Sequence, residues 1–165
     1  MAVTRVGLIS DTHGWLDPRA VQALRDAEVD LLIHAGDIGA GPDVLLELRG
    51  LSPRVVAVQG NCDRAIPGFE LRDRARVTVT GSELLIVHDI SSLGGEIPEE
   101  VDIVVRGHTH RADEVWHGRV RVLNPGSASQ QRSMPSCSVA LLDFPAEGEP
   151  VFTVVWLDEI ELREP

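Results

Sequence analysis

The sequence predicts an α/β fold, a single domain over residues 1–165 in which a parallel half and an antiparallel half form two stacked sheets with helices outside. Three observations predict it. Short apolar runs alternate with amphipathic segments over residues 3–58, the pattern of strands joined by helical crossovers. Beyond Pro67 the helical periodicity stops, and short strand-like runs follow one another, most of them separated by Gly or Pro. With 43% hydrophobic residues in a chain of this length there is enough apolar surface for a real core, which argues against disorder or a fibre.

The run 3–9 is short, branched and ended by Ser10, Asp11 and Thr12, which favours a buried strand over a helix. Pro18 opens a helix with Ala20, Val21, Leu24 and Ala27 on one face, since proline suits a first helical turn. A second strand over 31–35 stops at Gly36-Asp37. A second helix over 42–48 carries Val44, Leu45 and Leu48 and stops at Gly50, and a third strand over 55–58 stops at Gly60-Asn61. Right-handed crossovers make these three strands parallel. Residues 76–80 alternate, Gly81-Ser82 marks a hairpin, and 84–87 runs apolar up to His88. A segment with Pro98 leads to a strand over 101–105, ended by Gly107-His108. Further strands are expected over 114–116, 120–123, 138–144 and 151–157.

Composition narrows the partners. The formal charge is −11, and no basic run offsets it, so nucleic acid phosphates would be repelled. All fifteen basic residues are arginine, a pattern read as coding bias. Two cysteines, Cys62 and Cys137, are too few for a disulfide scaffold and suit a reducing compartment. Residues 1–10 resemble neither a signal peptide nor a membrane span, so a cytoplasmic protein without a membrane partner is expected.

The polar minority carries the chemistry. At five places an apolar strand stops and a polar cluster follows at once: Asp11-Thr12-His13, Gly36-Asp37, Gly60-Asn61-Cys62-Asp63, His88-Asp89 and Gly107-His108-Thr109-His110. Each has an ordinary reading by itself. Asp11 suits a helix cap or Asx-turn, Gly36-Asp37 a turn, Asn61 a turn, and His88 a partly buried histidine. Gly-His-Thr-His resists one, because imidazoles two residues apart project to one side of a strand or tight turn. Together the clusters count for more, because the carboxyl ends of parallel strands line one crevice. Two carboxylates, an asparagine and four imidazoles then face one space. Such a set suits manganese, iron or zinc better than magnesium, and with one bridging carboxylate it suits two ions about 3.5 Å apart.

The ordered set Asp-x-His, Gly-Asp, Gly-Asn-x-Asp, His and Gly-His-x-His, spanning Asp11 to Arg132, resembles the calcineurin-like metallophosphoesterases. Gly-Asn-Cys-Asp with Gly-His-Thr-His is similar to their small single-domain bacterial and archaeal phosphodiesterases. The resemblance implies a four-layer α/β/β/α sandwich of two mixed sheets flanked by helices. It also implies two divalent ions, manganese foremost, with iron, zinc or nickel as alternatives. Asp11, His13 and His110 would hold one ion, Asn61, His88 and His108 the other, with Asp37 bridging. The implied reaction is hydrolysis of a phosphate ester by a metal-bridging hydroxide, with Asp37, Asn61 and His108 as the catalytic residues. Asn124-Pro125-Gly126-Ser127 resembles a loop that shapes the site in this branch. Two departures stand out. Cys62 replaces the histidine that helps protonate the leaving group in many relatives, and Asp89 replaces a glycine, adding a carboxylate at the mouth.

A small, singly charged phosphodiester is therefore the expected substrate. The alternatives are a phosphomonoesterase using the same metals and, further off, a non-catalytic scaffold like the retromer subunit of similar fold. Homo-oligomerisation is left open. Of the remaining polar residues, His34 is read as structural, His117 as solvated, Asp63 as orienting its loop, and Cys137 as a small core residue. Arg132 is read as a phosphate contact or a surface ion pair.

Overall fold

The computed structural model describes residues 4–163. In chain order the elements are β1 (Thr4–Ile9), α1 (Pro18–Asp26), β2 (Leu31–His34), α2 (Asp43–Arg49), β3 (Val55–Ala57), β4 (Arg74–Val79) and β5 (Ser82–Val87). They continue as β6 (Ile103–Val105), β7 (Ala112–His117), β8 (Val120–Pro125), β9 (Ser138–Phe144) and β10 (Val151–Trp156). Every strand and helix expected from the sequence is present, with ends shifted by a few residues. Val3, placed at the start of the first strand, lies outside the described residues. Both helices begin with proline: α1 has Pro18 in its first turn and Asp17 as a cap accepting the Arg19 amide, and α2 has Pro42 at its cap.

The strands form two five-stranded sheets, ordered β10-β9-β1-β2-β3 and β4-β5-β6-β8-β7. The expected division into a parallel and an antiparallel half is corrected by the pairing. In the first sheet β1, β2 and β3 are parallel, but β9 and β10 return from the far end of the chain to flank them antiparallel. In the second, β5, β6 and β8 are parallel, and β4 and β7 pair antiparallel at the edges. Apolar runs reveal burial on both faces without revealing direction, which is why β5, β6 and β8 read as part of an antiparallel meander.

Burial explains the layers. Between the sheets, Val6, Leu8 and Ile33 of the first meet Leu84, Ile86 and Val105 of the second in one buried cluster. The other face of the first sheet is covered by α1 and α2 through Leu24, Leu45 and Leu48, packed with Leu32. The other face of the second sheet, Leu85, Val104 and Val122, is covered by Ile90, Leu93 and Ile97. Those three residues come from a 3-10 helix, Ile90–Leu93, and the loop after it, so the fourth layer is thin. Truncating any fully buried leucine here, Leu8 for example, would cost about 2–5 kcal/mol in lost transfer energy and cavity. No helix of the described residues is long and apolar enough to cross a membrane.

Two mixed sheets stacked this way bring six parallel strands, three from each sheet, to end near one rim. That rim positions the polar clusters.

Candidate metal centre

Asp11 and His13 follow β1, Asp37 follows β2 and Asn61 follows β3. From the second sheet, His88 follows β5, and His108 and His110 follow β6. The backbone leaves β1, β2 and β6 through an uncommon conformation. Asp11, His13, Asp37, His108 and His110 all have positive φ, between 49° and 70°. For residues with a Cβ this left-handed region is disfavoured, by about 1–2 kcal/mol each, and persists only where surrounding bonds enforce it. Those bonds are present: the Asp11 amide donates to the Gly36 carbonyl at 3.0 Å, and the His13 amide to the Asp37 carbonyl at 2.9 Å. The sharp turn lets a side chain that would otherwise continue along the sheet point into the space between the strand ends.

The histidine tautomers follow from their outer partners. His88 Nδ1–H donates to the Ala35 carbonyl at 2.7 Å, which leaves Nε2 with a bare lone pair. That nitrogen lies 3.1 Å from Asn61 Oδ1 and 3.4 Å from Asp37 Oδ2. His110 Nδ1–H donates to the Gln130 carbonyl at 3.2 Å, and its bare Nε2 lies 3.1 Å from Asp11 Oδ1 and 3.3 Å from His13 Nε2. Asp11 Oδ1 is buried and has no hydrogen-bond partner among the described residues. His13 Nε2 lies 4.0 Å from both Asp11 Oδ1 and Asp37 Oδ2, and His108 Nδ1 lies 3.0 Å from Asn61 Oδ1.

At His88 and His110 a ring-nitrogen lone pair thus faces oxygen lone pairs across hydrogen-bond distances. This arrangement is repulsive as it stands and favourable around a cation, so the donor set fits divalent metal. Three groups have donor atoms mutually within 4.8 Å: Asp11 with His13 and His110, Asp11 with Asp37 and His88, and His13 with Asp37 and Cys62.

The two carboxylates differ in environment. Burial raises the Asp11 carboxyl above its ordinary range, against the hydrogen bond from Ser10 and the pull of His88 and His110. Asp37 is also pushed up by burial, but the Cys62 amide at 2.8 Å and the facing His88 outweigh it, and the carboxyl lies below its ordinary range. The Cys62 thiol is raised, chiefly by its hydrogen bond with Asp37, and this keeps it protonated. Burial lowers His110 against the pull of Asp11.

A surrounding set of bonds holds these residues in place. Asp11 Oδ2 accepts Ser10 Oγ at 2.6 Å and the His108 amide at 3.2 Å, joining the two sheets. The Asp11 carbonyl accepts Ser127 Oγ at 3.0 Å and Ser129 Oγ at 2.8 Å. Asn124 donates to the Gly107 carbonyl at 3.0 Å. Asp63 accepts the Gly39 and Gly60 amides at 2.9 and 2.8 Å, tying the loop after β2 to the loop after β3. Glycine is required at two strand ends by close approach: a Cβ on Gly60 would lie 2.1 Å from Asp37 Oδ1, and one on Gly107 would lie 1.9 Å from Ser10 Oγ.

All seven residues expected as ligands, Asp11, His13, Asp37, Asn61, His88, His108 and His110, therefore meet at one rim. His34 does not join them. Fully buried, it accepts the Gly36 amide at Nδ1, and its Nε2 lies 3.0 Å from Thr12 Oγ1, which itself donates to the Ile38 carbonyl. His117 sits exposed at the end of the edge strand β7. Cys137 packs half-buried against the helix-side core. Arg132 stands exposed two residues after the Gln130 carbonyl that holds His110. Asp89 caps the 3-10 helix and lies 4.0 Å from His108 Nε2.

Ser10, Thr12, Ser129 and Gln130 were not expected. Ser10 and Thr12 carried a local signal, standing on either side of the strand-end Asp11. Ser129 and Gln130 act through a hydroxyl and a backbone carbonyl brought in from elsewhere in the fold.

Comparison with known proteins agrees with this geometry. Residues 4–147 match the family described as the calcineurin-like phosphoesterase superfamily domain. A protein of Methanothermobacter thermautotrophicus named as a probable metallophosphoesterase is 34% identical over 154 residues, which cover 84% of this chain and 86% of the relative. Phosphodiesterase YfcE of Escherichia coli (strain K12) is 25% identical over 160 residues, covering 81% of this chain and 84% of the relative. Among solved structures, a Streptococcus pneumoniae protein described as a predicted phosphoesterase superposes with a TM-score of 0.73 at 26% identity. The superposition covers 98% of this chain and 94% of that one.

Proposed function

Because the chain belongs to the calcineurin-like phosphoesterase superfamily, we propose that it is a phosphodiesterase acting on small, singly charged phosphate esters at a centre of two divalent metal ions. The observation that carries the reading is the buried, unpartnered Asp11 Oδ1, 3.1 Å from the bare Nε2 of His110, in a rim where bare nitrogens and oxygens converge. A cation is what such a set lacks.

In this reading Asp11, His13 and His110 hold one ion, and Asn61, His88 and His108 hold the other. Asp37 serves both, since Oδ2 faces His88 at 3.4 Å and His13 at 4.0 Å. Divalent ions held by these residues, manganese foremost, would supply hydroxide near neutral pH and offset charge on the phosphoryl oxygens. The protein's share is positional. Asn61 and His108, exposed at the mouth, orient the phosphoryl oxygens, and the outer hydrogen bonds of His88 and His110 keep their ring nitrogens aimed. Cys62 stands where a stronger proton donor would assist the leaving group, and its thiol is held protonated by Asp37. Esters with acidic leaving groups are therefore preferred. A diester, with one charge, meets less repulsion from surplus carboxylates than a dianionic monoester does. The chain acts as one domain, in a cytoplasmic setting consistent with its two free cysteines.

The test is metal analysis of purified protein together with hydrolysis of bis-p-nitrophenyl phosphate and p-nitrophenyl phosphate, with and without manganese. About two bound metals and manganese-dependent turnover favouring the diester are expected. Preference for the monoester would replace the diesterase reading with a phosphatase. A metal-free, inert protein would leave only a scaffold of this fold.

A further inference from the structure

His34, the last residue of β2, is fully buried, and both of its ring nitrogens are engaged away from the candidate centre. Nδ1 accepts the Gly36 amide at 3.2 Å. The proton of the neutral ring is therefore on Nε2, which donates to Thr12 Oγ1 at 3.0 Å. The threonine hydroxyl donates in turn to the Ile38 carbonyl at 2.9 Å. The chain of bonds runs in one direction, from the Gly36 amide through the ring and the hydroxyl to Ile38.

Each end of that chain acts on ligands. The Gly36 N–H and the Ala35 carbonyl belong to one planar peptide unit and point in opposite directions, so fixing one fixes the other. The Ala35 carbonyl accepts His88 Nδ1–H at 2.7 Å, the bond that aims His88 Nε2 into the centre. The Gly36 carbonyl, one unit further on, accepts the Asp11 amide at 3.0 Å and leads directly to Asp37. At the other end Thr12 stands between Asp11 and His13. Its acceptor, the Ile38 carbonyl, also takes the Gly14 amide at 2.7 Å, which ties the loop after β1 to the loop after β2.

We propose that His34 is a positioning residue of the metal centre: its Nε2–H tautomer sets the spacing between the loops after β1 and β2 and, through the Ala35–Gly36 peptide, the aim of His88. The proposal rests on the metal-centre reading and makes the placement of Asp11, His13, Asp37 and His88 depend on one buried ring. Packing alone would be met by an apolar side chain of similar size. The directed pair of bonds is what positioning requires.

The test titrates folded, metal-free protein with manganese by calorimetry and melts the same samples. Thr12→Val removes the hydroxyl at nearly constant volume, whereas Thr12→Ser keeps it and deletes a methyl group. Manganese affinity should fall about tenfold or more in Thr12→Val and in His34→Leu, and should stay close to that of the unmodified chain in Thr12→Ser. His34→Gln, which keeps a donor for Thr12, should bind manganese more tightly than His34→Leu. Thr12→Ser leaves a buried gap and should melt lower than the unmodified chain, so affinity and melting temperature part company, as a merely structural role would not allow. The variant carrying both Thr12→Val and His34→Leu should lose less than the product of the two single losses, because both cut the same chain of bonds. Where His34→Leu does not fold, Thr12→Val against Thr12→Ser decides. Equal affinity in all variants, a loss in Thr12→Ser as large as in Thr12→Val, or losses that multiply in full would overturn the proposal and leave the centre in place. Failure of the unmodified chain to bind manganese would overturn the metal-centre reading and the proposal with it.

Discussion

At Asp37 one carboxylate faces histidines from both sheets while its other oxygen is held by the Cys62 amide. On the proposed assignment, removing it takes a donor from both metal positions at once, so Asp37→Ala should lose both ions and essentially all turnover. His117→Ala, on the exposed end of β7, should keep metal content and rate. Elemental analysis of the two purified variants separates these outcomes, and full turnover in Asp37→Ala would overturn the assignment of the bridge. His34 makes a different prediction. Burial pushes its pKa down from 6.5 to about 3, with the nearby His88 adding to the shift. The neutral ring is what the fold accommodates, so its contribution is complete above pH 6.5 and is lost as the pH falls from there toward 3. The loss is about 1.4 kcal/mol per pH unit. In urea titrations of metal-free protein between pH 7 and 4, His34→Gln should show a shallower acid decline than the unmodified chain. Equal slopes would show that His34 does not titrate in this window.

The strand ends act as elements because their loops interlock. Gly60→Ala would drive a methyl group against Asp37 Oδ1 and the Asp37 amide, at 2.1 and 2.2 Å. Since one of those atoms is backbone, the loop after β2 must move. We expect metal affinity at least tenfold weaker and a stability loss of about 1–3 kcal/mol, measured by calorimetry and thermal melts. Unaltered metal affinity would mean that the loop adapts freely.

Much of this was legible in the sequence. Apolar runs stopped by polar clusters located β1, β2, β3, β5 and β6, and the seven candidate ligands stood at their ends. What the sequence did not reveal has a physical reason in each case. The parallel pairing of β5, β6 and β8 is invisible because a strand buried on both faces has no polar alternation to disclose its direction. The left-handed backbone at Asp11 and His108 is set by bonds from other strands. Ser129 and Gln130 contribute through a hydroxyl and a carbonyl, and such roles leave no motif.

For the molecule as a whole, binding metal and folding are linked. Empty, the rim sets lone pairs of His88 and His110 against carboxylate and amide oxygens in a chain of formal charge −11, and the divalent ions of the proposed centre would relieve both. Manganese at a hundred times its Kd should stabilise the fold by about 2.7 kcal/mol for each ion bound. For a chain of this size that amounts to a rise of roughly 5–10 °C in Tm per ion, reversed by a chelator. A melt insensitive to both would contradict a metal centre built into the fold.

The pairing of β1 with β9 joins Thr4 to Phe144, so the middle strand of the first sheet waits for a partner made far later in the chain. At about 5–20 residues per second, a ribosome needs roughly 7–28 seconds to deliver it. Until then β1 has a bare edge and Asp11 lacks the clasp of Ser127 and Ser129. A nascent chain therefore cannot complete the centre early, and a prematurely terminated one would carry a hydrophobic strand open to aggregation in place of a partly working enzyme.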